Sequence, residues 1–319
     1  MWPVQEGLSR SIERVVATML LDAAAAEVTR ALRRNEIPSR LLKGAALGVW
    51  LYDGAERTYV DVDLLVSPRD LERVEEVLRQ LDFSPADGAT ARGDRPRHAR
   101  VWGRAADGAA IDLHTTLAGV GVDAQEAWDV LAPRVDRTVV EGENVEILDE
   151  PARALHVVLH AAQHGARSPQ ALADLERALG RVPLETWRQS GALARRLDAL
   201  PAFVAGLSLT TEGEALVAQL GLGRVSNVVA ELRVGTPREE TLGSALGFEW
   251  LAGPRTMRQR AEFVASRLVP PAAGMRRRSA LARKGYVGLV AAYVLRLGQL
   301  APHAVAGYAA WRRARRAAK

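Results

Sequence analysis

Residues 58–66 read TYVDVDLLV. Aliphatic and β-branched side chains dominate the stretch, and such residues favour a pleated, buried surface over a helix. Side chains alternate along an extended chain, so Val60, Val62, Leu64 and Val66 share one face while Asp61, Asp63 and Leu65 share the other. Both carboxylates then project the same way, from backbone positions ~7 Å apart along the strand. Half-buried like charges at that separation repel and lose solvation. The chain must therefore place this strand in a sheet and bring something positive to the aspartate face.

Composition bounds the rest. A chain of 319 residues, 48% hydrophobic and 25% charged, has ordinary globular composition and room for two domains with proper cores. It contains no cysteine, which excludes disulfides and thiolate metal sites and fits a reducing, cytoplasmic setting. The start, MWPVQEGLSRSIERVV, lacks the basic end and apolar core of a secretion signal. No stretch reaches the ~20 uncharged apolar residues of a spanning helix, so none is expected.

Charge is unevenly distributed. No acidic residue follows Glu262, whereas Arg267 to Lys319 holds 12 basic residues, leaving 31 basic against 38 acidic in the remainder. An acidic body thus carries a strongly basic tail. Of the 43 basic residues only Lys43, Lys284 and Lys319 are lysines. Lys284 and Lys319 lie in the tail; Lys43 lies in the body, where a compact ammonium and a planar guanidinium are not interchangeable at a tight site.

Periodicity predicts a long helix over 8–35 and a short strand at 39–43. A helix follows from Gly44 to about Tyr52, stopped by Asp53-Gly54. After the aspartate strand, Ser67-Pro68 starts a helix that runs to about Leu81. Strands 97–104 and 109–114 join around Asp107-Gly108, and a second hairpin spans 138–148 around Gly142. From Pro151 onward only helical periods remain. The expected fold is a mixed α/β first half, residues 1–150, followed by an all-helical domain, residues 151–319.

The second strand of the first hairpin ends AAIDLH, so Asp112 and His114 share a face opposite Ile111 and Leu113. If it pairs beside 59–66, Asp112 joins Asp61 and Asp63 over one space. Three carboxylates facing one space suit a hard divalent cation, and without a calcium-loop spacing that ion is magnesium or manganese. Upstream, LLKGAALG reads as strand, glycine turn and helix. A glycine there lets backbone amides approach a phosphate at the positive end of the helix.

This order resembles the nucleotidyltransferase superfamily of the DNA polymerase beta type, and more closely the bacterial uncharacterised nucleotidyltransferase family. The resemblance rests on Leu42-Lys43-Gly44, on Arg57 before Asp61 to Val66, and on Ile111 to His114. It rests also on ALHVVLHAAQHGARSPQALADLERAL, which is similar to the family's histidine-bearing helix with its following Arg and Asp-Leu. The basic C-terminal stretch looks similar as well, extending the resemblance over nearly the whole chain. One departure from the wider superfamily is Ala45, where Gly or Ser is usual.

The resemblance implies a mixed-sheet nucleotidyltransferase core and a metal-dependent transfer of a nucleoside monophosphate from an NTP to an acceptor hydroxyl or similar group, with release of pyrophosphate. It implies Asp61, Asp63 and Asp112 as catalytic residues holding two ions, Mg2+ or Mn2+. Lys43, Gly44, Ala45, Arg57 and His114 would meet the nucleotide. The acceptor is left open among small molecule, peptide and RNA. A different class of reading is a catalytically degenerate protein that binds NTP or a partner.

Other features are less committed. His156, His160 and His164 recur every fourth residue along one helix, a spacing open to metal ligation, to a wall of the acceptor pocket, or to packing. His98 and Arg100 can reach substrate or line an exposed strand. Residues 267–319 mix arginine clusters with Tyr286, Tyr293, Tyr308 and Trp311. They read as a packing subdomain, or as a basic face for a polyanion or an anionic membrane surface.

Overall fold

The computed structural model describes residues 3–53, 57–86, 99–223, 226–253 and 256–318. Helix α1 (Pro3–Arg34) precedes strand β1 (Ser39–Leu41), helix α2 (Ala45–Tyr52) and strand β2 (Val62–Val66). Then come α3 (Leu71–Gln80), β3 (Ser84–Pro85), β4 (Ala99–Gly103), β5 (Ala110–His114), α4 (Ala124–Leu131), β6 (Val135–Val140) and β7 (Glu143–Leu148). The remainder is helical: α5 (Glu150–His164), α6 (Pro169–Arg181), α7 (Leu184–Arg196), α8 (Leu200–Leu207) and α9 (Thr211–Gln219). The last helices are α10 (Val228–Gly235), α11 (Glu239–Ala252), α12 (Met257–Leu268), α13 (Ala272–Arg278) and α14 (Gly285–Ala317).

The strands form one mixed sheet in the order β3-β4-β5-β2-β1-β7-β6. β2 lies at its centre, antiparallel to β1 and parallel to β5. Every residue of β2 is buried, so the expected half-buried strand is in fact covered on both faces. The strand is also shorter than the run of β-formers suggests. It begins at Val62, Asp61 sits in the bend before it, and Val60 is 83% exposed rather than in the core. Alternation holds inside the strand. Val62, Leu64 and Val66 pack with Ile111 and Leu113 under α1 and α3, while Leu65 faces the core built with α2, α4 and α5.

The local signals have local causes. Ser67 accepts a hydrogen bond from the Arg69 amide, and Pro68 opens a 3-10 turn that leads into α3. Asp53 ends α2 in a left-handed conformation. Glu141 and Gly142 both have positive φ, the pattern of a two-residue hairpin turn whose twist matches β6 and β7. Helix α4 and strand β3 fall in stretches with no sequence expectation. His98 lies outside the described residues, and Arg100 is exposed and paired with Glu75 of α3.

The expected boundary at residue 150 falls inside a continuous core. Leu47, Leu65 and Leu148 from the first half cluster with Leu155, Leu159, Trp187 and Phe203 from the second. Helices α10, α11 and α14 carry a smaller core of their own around Leu232, Leu242 and Ala310. Arg167 links that layer to the body by donating to the carbonyls of Arg233 and Thr236 at 2.9 and 2.6 Å.

Candidate active site

The register of β2 against β5 pairs Asp63 with Asp112 and Leu65 with His114. Paired residues of neighbouring strands project to the same side, so the two aspartates and the histidine meet on the face that carries Leu65. One ligand atom from each of Asp63, Asp112 and His114 lies within 4.8 Å of the others. His114 Nε2 is 2.9 Å from Asp63 Oδ1 and 3.5 Å from Asp112 Oδ2. A carboxylate only accepts, so Nε2 carries the hydrogen toward Asp63.

Asp63 is 2% exposed, and burial alone pushes its carboxyl up; the His114 hydrogen bond and the Lys43 charge outweigh burial and hold it well below the usual carboxylate range. Lys43 Nζ sits 2.8 Å from the same Oδ1. The positive charge that the strand demanded is therefore supplied first by the chain itself, through the body's one lysine. Lys43 follows β1, and the Leu42 amide donates to the Asp63 carbonyl at 3.0 Å, which fixes the lysine beside the aspartate.

The other two carboxylates differ in state. Asp112 is raised by burial and by Asp63, with His114 opposing, and its Oδ1 is buried without a hydrogen-bond partner among the described residues. Asp61 is raised by burial first and then by Asp63 and Asp112. It lies close enough to feel the cluster but is not one of the three residues whose ligand atoms meet. Two carboxylates and an imidazole meeting on one face, with one buried carboxylate oxygen left without a partner among the described residues, form a donor set that fits a divalent cation taking oxygen with some nitrogen.

Gly44 caps α2 with φ +61°, and no side chain caps that helix end. A Cβ at Gly44 would meet the Tyr59 ring at 3.2 Å, so the turn needs glycine for its backbone and for its neighbour alike. Tyr59 is held in turn by a hydrogen bond from its hydroxyl to Asp22 of α1. Ala45 is the first residue of α2.

Arg57 departs from its expected role. Its guanidinium is buried and binds Asp174 of α6 through two bonds, Nε at 3.0 Å and Nη2 at 2.6 Å. It is a clamp between the approach to β2 and the helical half, and only Nη1 is left unpaired among the described residues. Asp174 also accepts from the Tyr52 hydroxyl at 2.6 Å and from Gln170 at 3.0 Å. Burial pushes the Asp174 carboxyl up, but the Arg57 bonds and charge, with Tyr52 and Gln170, hold it down. The same contact, after burial, helps push the Tyr52 phenol up to about 12. Tyr52 and Gln170 carry no motif; the Asp-Leu pair at Asp174 was a signal without an assigned partner.

The histidine stripe of α5 lines up behind the cluster. His156 is buried and pushed down to about 3 by burial and then by Lys43, and its Nδ1 has no partner among the described residues. His160 and His164 are lowered by the same two causes in the same order. The rings of His160 and His164 meet edge to face at 4.7 Å. None of the three belongs to the cluster of ligand atoms. All three are neutral side chains facing a positive charge.

A family model described as "Uncharacterised nucleotidyltransferase" matches residues 3–212. The chain belongs to this family. It is thereby a nucleotidyltransferase, with the mixed-sheet core, long N-terminal helix and helical C-terminal region expected of it. The match stops in α9, so α10–α14 lie beyond the family's common part, and the resemblance is shorter than the sequence reading made it. Two solved structures are similar at a distance. One is the antibiotic-resistance factor ANT(2'')-Ia, at 13% identity and TM-score 0.38, covering 58% of this chain and 94% of that one. The other is an antigenic nucleotidyltransferase-like protein from Paracoccidioides brasiliensis, at 15% identity and TM-score 0.34, covering 56% and 92%. No curated protein matches the chain.

Proposed function

We propose that the chain transfers a nucleoside monophosphate from an NTP to an acceptor hydroxyl or similar group. A bond forms between the acceptor oxygen and the α-phosphorus, the bond to the departing pyrophosphate breaks, and the acceptor's proton is lost to the site. The observation that carries this reading is the pairing of Asp63 with Asp112 across parallel strands, with His114 on the same face. Asp61, Asp63 and Asp112 are the residues that would hold Mg2+ or Mn2+, two ions by the family's pattern. Ions so held neutralise phosphate charge and align the attacking and leaving oxygens.

The chain's own groups supply the rest. Asp112 Oδ1, buried and unpartnered, is the natural acceptor for the proton of the attacking hydroxyl. Lys43 offers a positive charge beside the carboxylates, and the uncapped end of α2 after Gly44 offers backbone amides to phosphate oxygens. His114 orients Asp63 by its 2.9 Å hydrogen bond. The cysteine-free composition supports a cytoplasmic setting.

The test is transfer of α-labelled phosphate from each of the four NTPs in cell extract, with magnesium or manganese. Label should move to an acceptor in wild type and not in Asp63→Asn. Absence of transfer by wild type with every NTP overturns the reading.

One observation favours the second reading, a binder without turnover. Lys43 Nζ at 2.8 Å from Asp63 can satisfy the carboxylate with no metal at all. In that case NTP binds without magnesium, and the melting temperature is indifferent to the ion.

A further inference from the structure

Helix α14 has two opposite faces, and both are apolar. Gly288, Leu289, Ala292, Gly307, Ala310 and Ala314 are buried on one side. The approach to α11 is close: a Cβ at Gly307 would stand 2.6 Å from the Ser244 Cβ. On the other side Val287, Val290, Val294, Leu297, Val305 and Tyr308 are all exposed, Val287 by 80%. Their spacing follows one line along a helix. The line spans ~30 Å at the helical rise. Ordinary amphipathic logic would make that face polar. Scattered exposed aliphatics need no explanation, but a continuous row does.

The same line turns basic at its end, continuing from Tyr308 through Arg312 and Arg315, with Arg316 beside them, all exposed. Arg283 and Lys284 stand exposed at its beginning. No acidic residue follows Glu262. A second copy of this chain would bring the same positive charge to the same face, so charge argues against self-association. A bilayer rich in anionic headgroups complements both properties, taking the aliphatic row into its interface and the arginines at its phosphates.

Among the described residues α14 is the one helix long and apolar enough to cross a membrane, and 11% of its most apolar window is buried. That qualifies the expectation, drawn from the lack of a run of ~20 uncharged apolar residues, that no spanning helix is present. Its contacts nevertheless favour lying along the surface. The helix is fastened to α11, α12 and the segment after α12 through Trp311 Nε1 donating to Glu249 at 2.7 Å, Arg296 donating to the Arg267 carbonyl at 3.2 Å, and Tyr293 donating to the Pro270 carbonyl at 2.6 Å. Crossing would strip these away.

We infer that α14 docks the enzyme onto anionic membrane surfaces, with the row from Val287 to Tyr308 entering the headgroup layer. The inference is independent of the proposed reaction. The test is co-sedimentation of the full chain with vesicles of phosphatidylcholine alone and of phosphatidylcholine mixed with phosphatidylglycerol. Wild type should sediment with the mixed vesicles and much less with the neutral ones. Val287→Glu/Val294→Glu changes only exposed positions and should weaken binding at least ~10-fold with an unchanged melting temperature. Arg312→Gln/Arg315→Gln/Arg316→Gln should weaken it roughly fivefold per arginine, at low salt most of all. No sedimentation with mixed vesicles overturns the inference. So does a wild-type dimer in light scattering that the valine variant turns into monomer. Tight binding to an RNA homopolymer that needs the arginines and ignores the valines, in place of vesicle binding, overturns it as well.

Discussion

At the scale of single residues, the two aspartates of one motif have opposite energetics. Asp63 is enclosed with the Lys43 ammonium and a hydrogen bond from His114, so Asp63→Asn leaves Lys43 facing an amide in a nearly dry site and should destabilise by about 3 kcal/mol. Asp61 gains nothing comparable and is repelled by its neighbours, so Asp61→Asn should raise the melting temperature slightly at pH 7 in chelator. The gain should shrink as pH falls and the wild-type carboxyl is neutralised. Thermal melts of both variants across pH check the contrast; a stabilised Asp63→Asn contradicts it.

His156 gives the residue scale its pH signature. Its folded value, about 3, lies below the ordinary 6.5, so the unfolded chain binds a proton that the folded chain refuses. The stability it contributes is present above pH 6.5 and drains away as pH falls from there toward 3. His156→Leu should flatten the decline of melting temperature across that window, and an unchanged slope would show that the imidazole reaches water.

At the scale of elements, the turn from β1 into α2 rests on Gly44. A β-branched side chain at φ +61° beside the Tyr59 ring is strained twice over, so Gly44→Val would damage the fold and report little about phosphate binding. Gly44→Ala is the usable variant. It should lower stability by about 1–3 kcal/mol, read from the shift in urea midpoint at constant slope. A loss near zero would mean that the turn relaxes to another backbone conformation. The expected cap at Ser67 forms, and Asp149 and Ser168, which carried no expectation, likewise accept from an amide at a helix start. Strand β2 is shorter than the expected 59–66, because TYVDVDLLV has the same local preference throughout. Only β1 and β5 determine which of its residues find partners; the pairing with β1 ends at Leu64 and that with β5 at Val62.

At the scale of the whole molecule, the chain turns all-helical after β7 without a change of core. Leu148, Leu155 and Phe203 belong to one cluster, and the buried Arg57–Asp174 pair joins the same two halves. Residues 1–150 expressed alone should therefore lack a cooperative unfolding transition by calorimetry, and residues 151–319 likewise. A sharp transition in the first fragment would restore two independent domains.

Taken alone, the sequence determined what depends on neighbours along the chain: strand alternation, helix starts, the glycine turn, and a side-by-side pair of carboxylates that needed a cation. It also made Lys43 conspicuous as the body's one lysine, without pairing it with the aspartates. Only the tertiary structure decided which charges meet. Arg57 precedes the aspartates by a few residues yet binds Asp174, 117 positions away, because burying a guanidinium demands a carboxylate in fork geometry and α6 supplies one. Lys43 and His114 converge on one oxygen of Asp63 because β1 and β5 flank β2, and strand order is set by packing between distant segments, which no local pattern encodes.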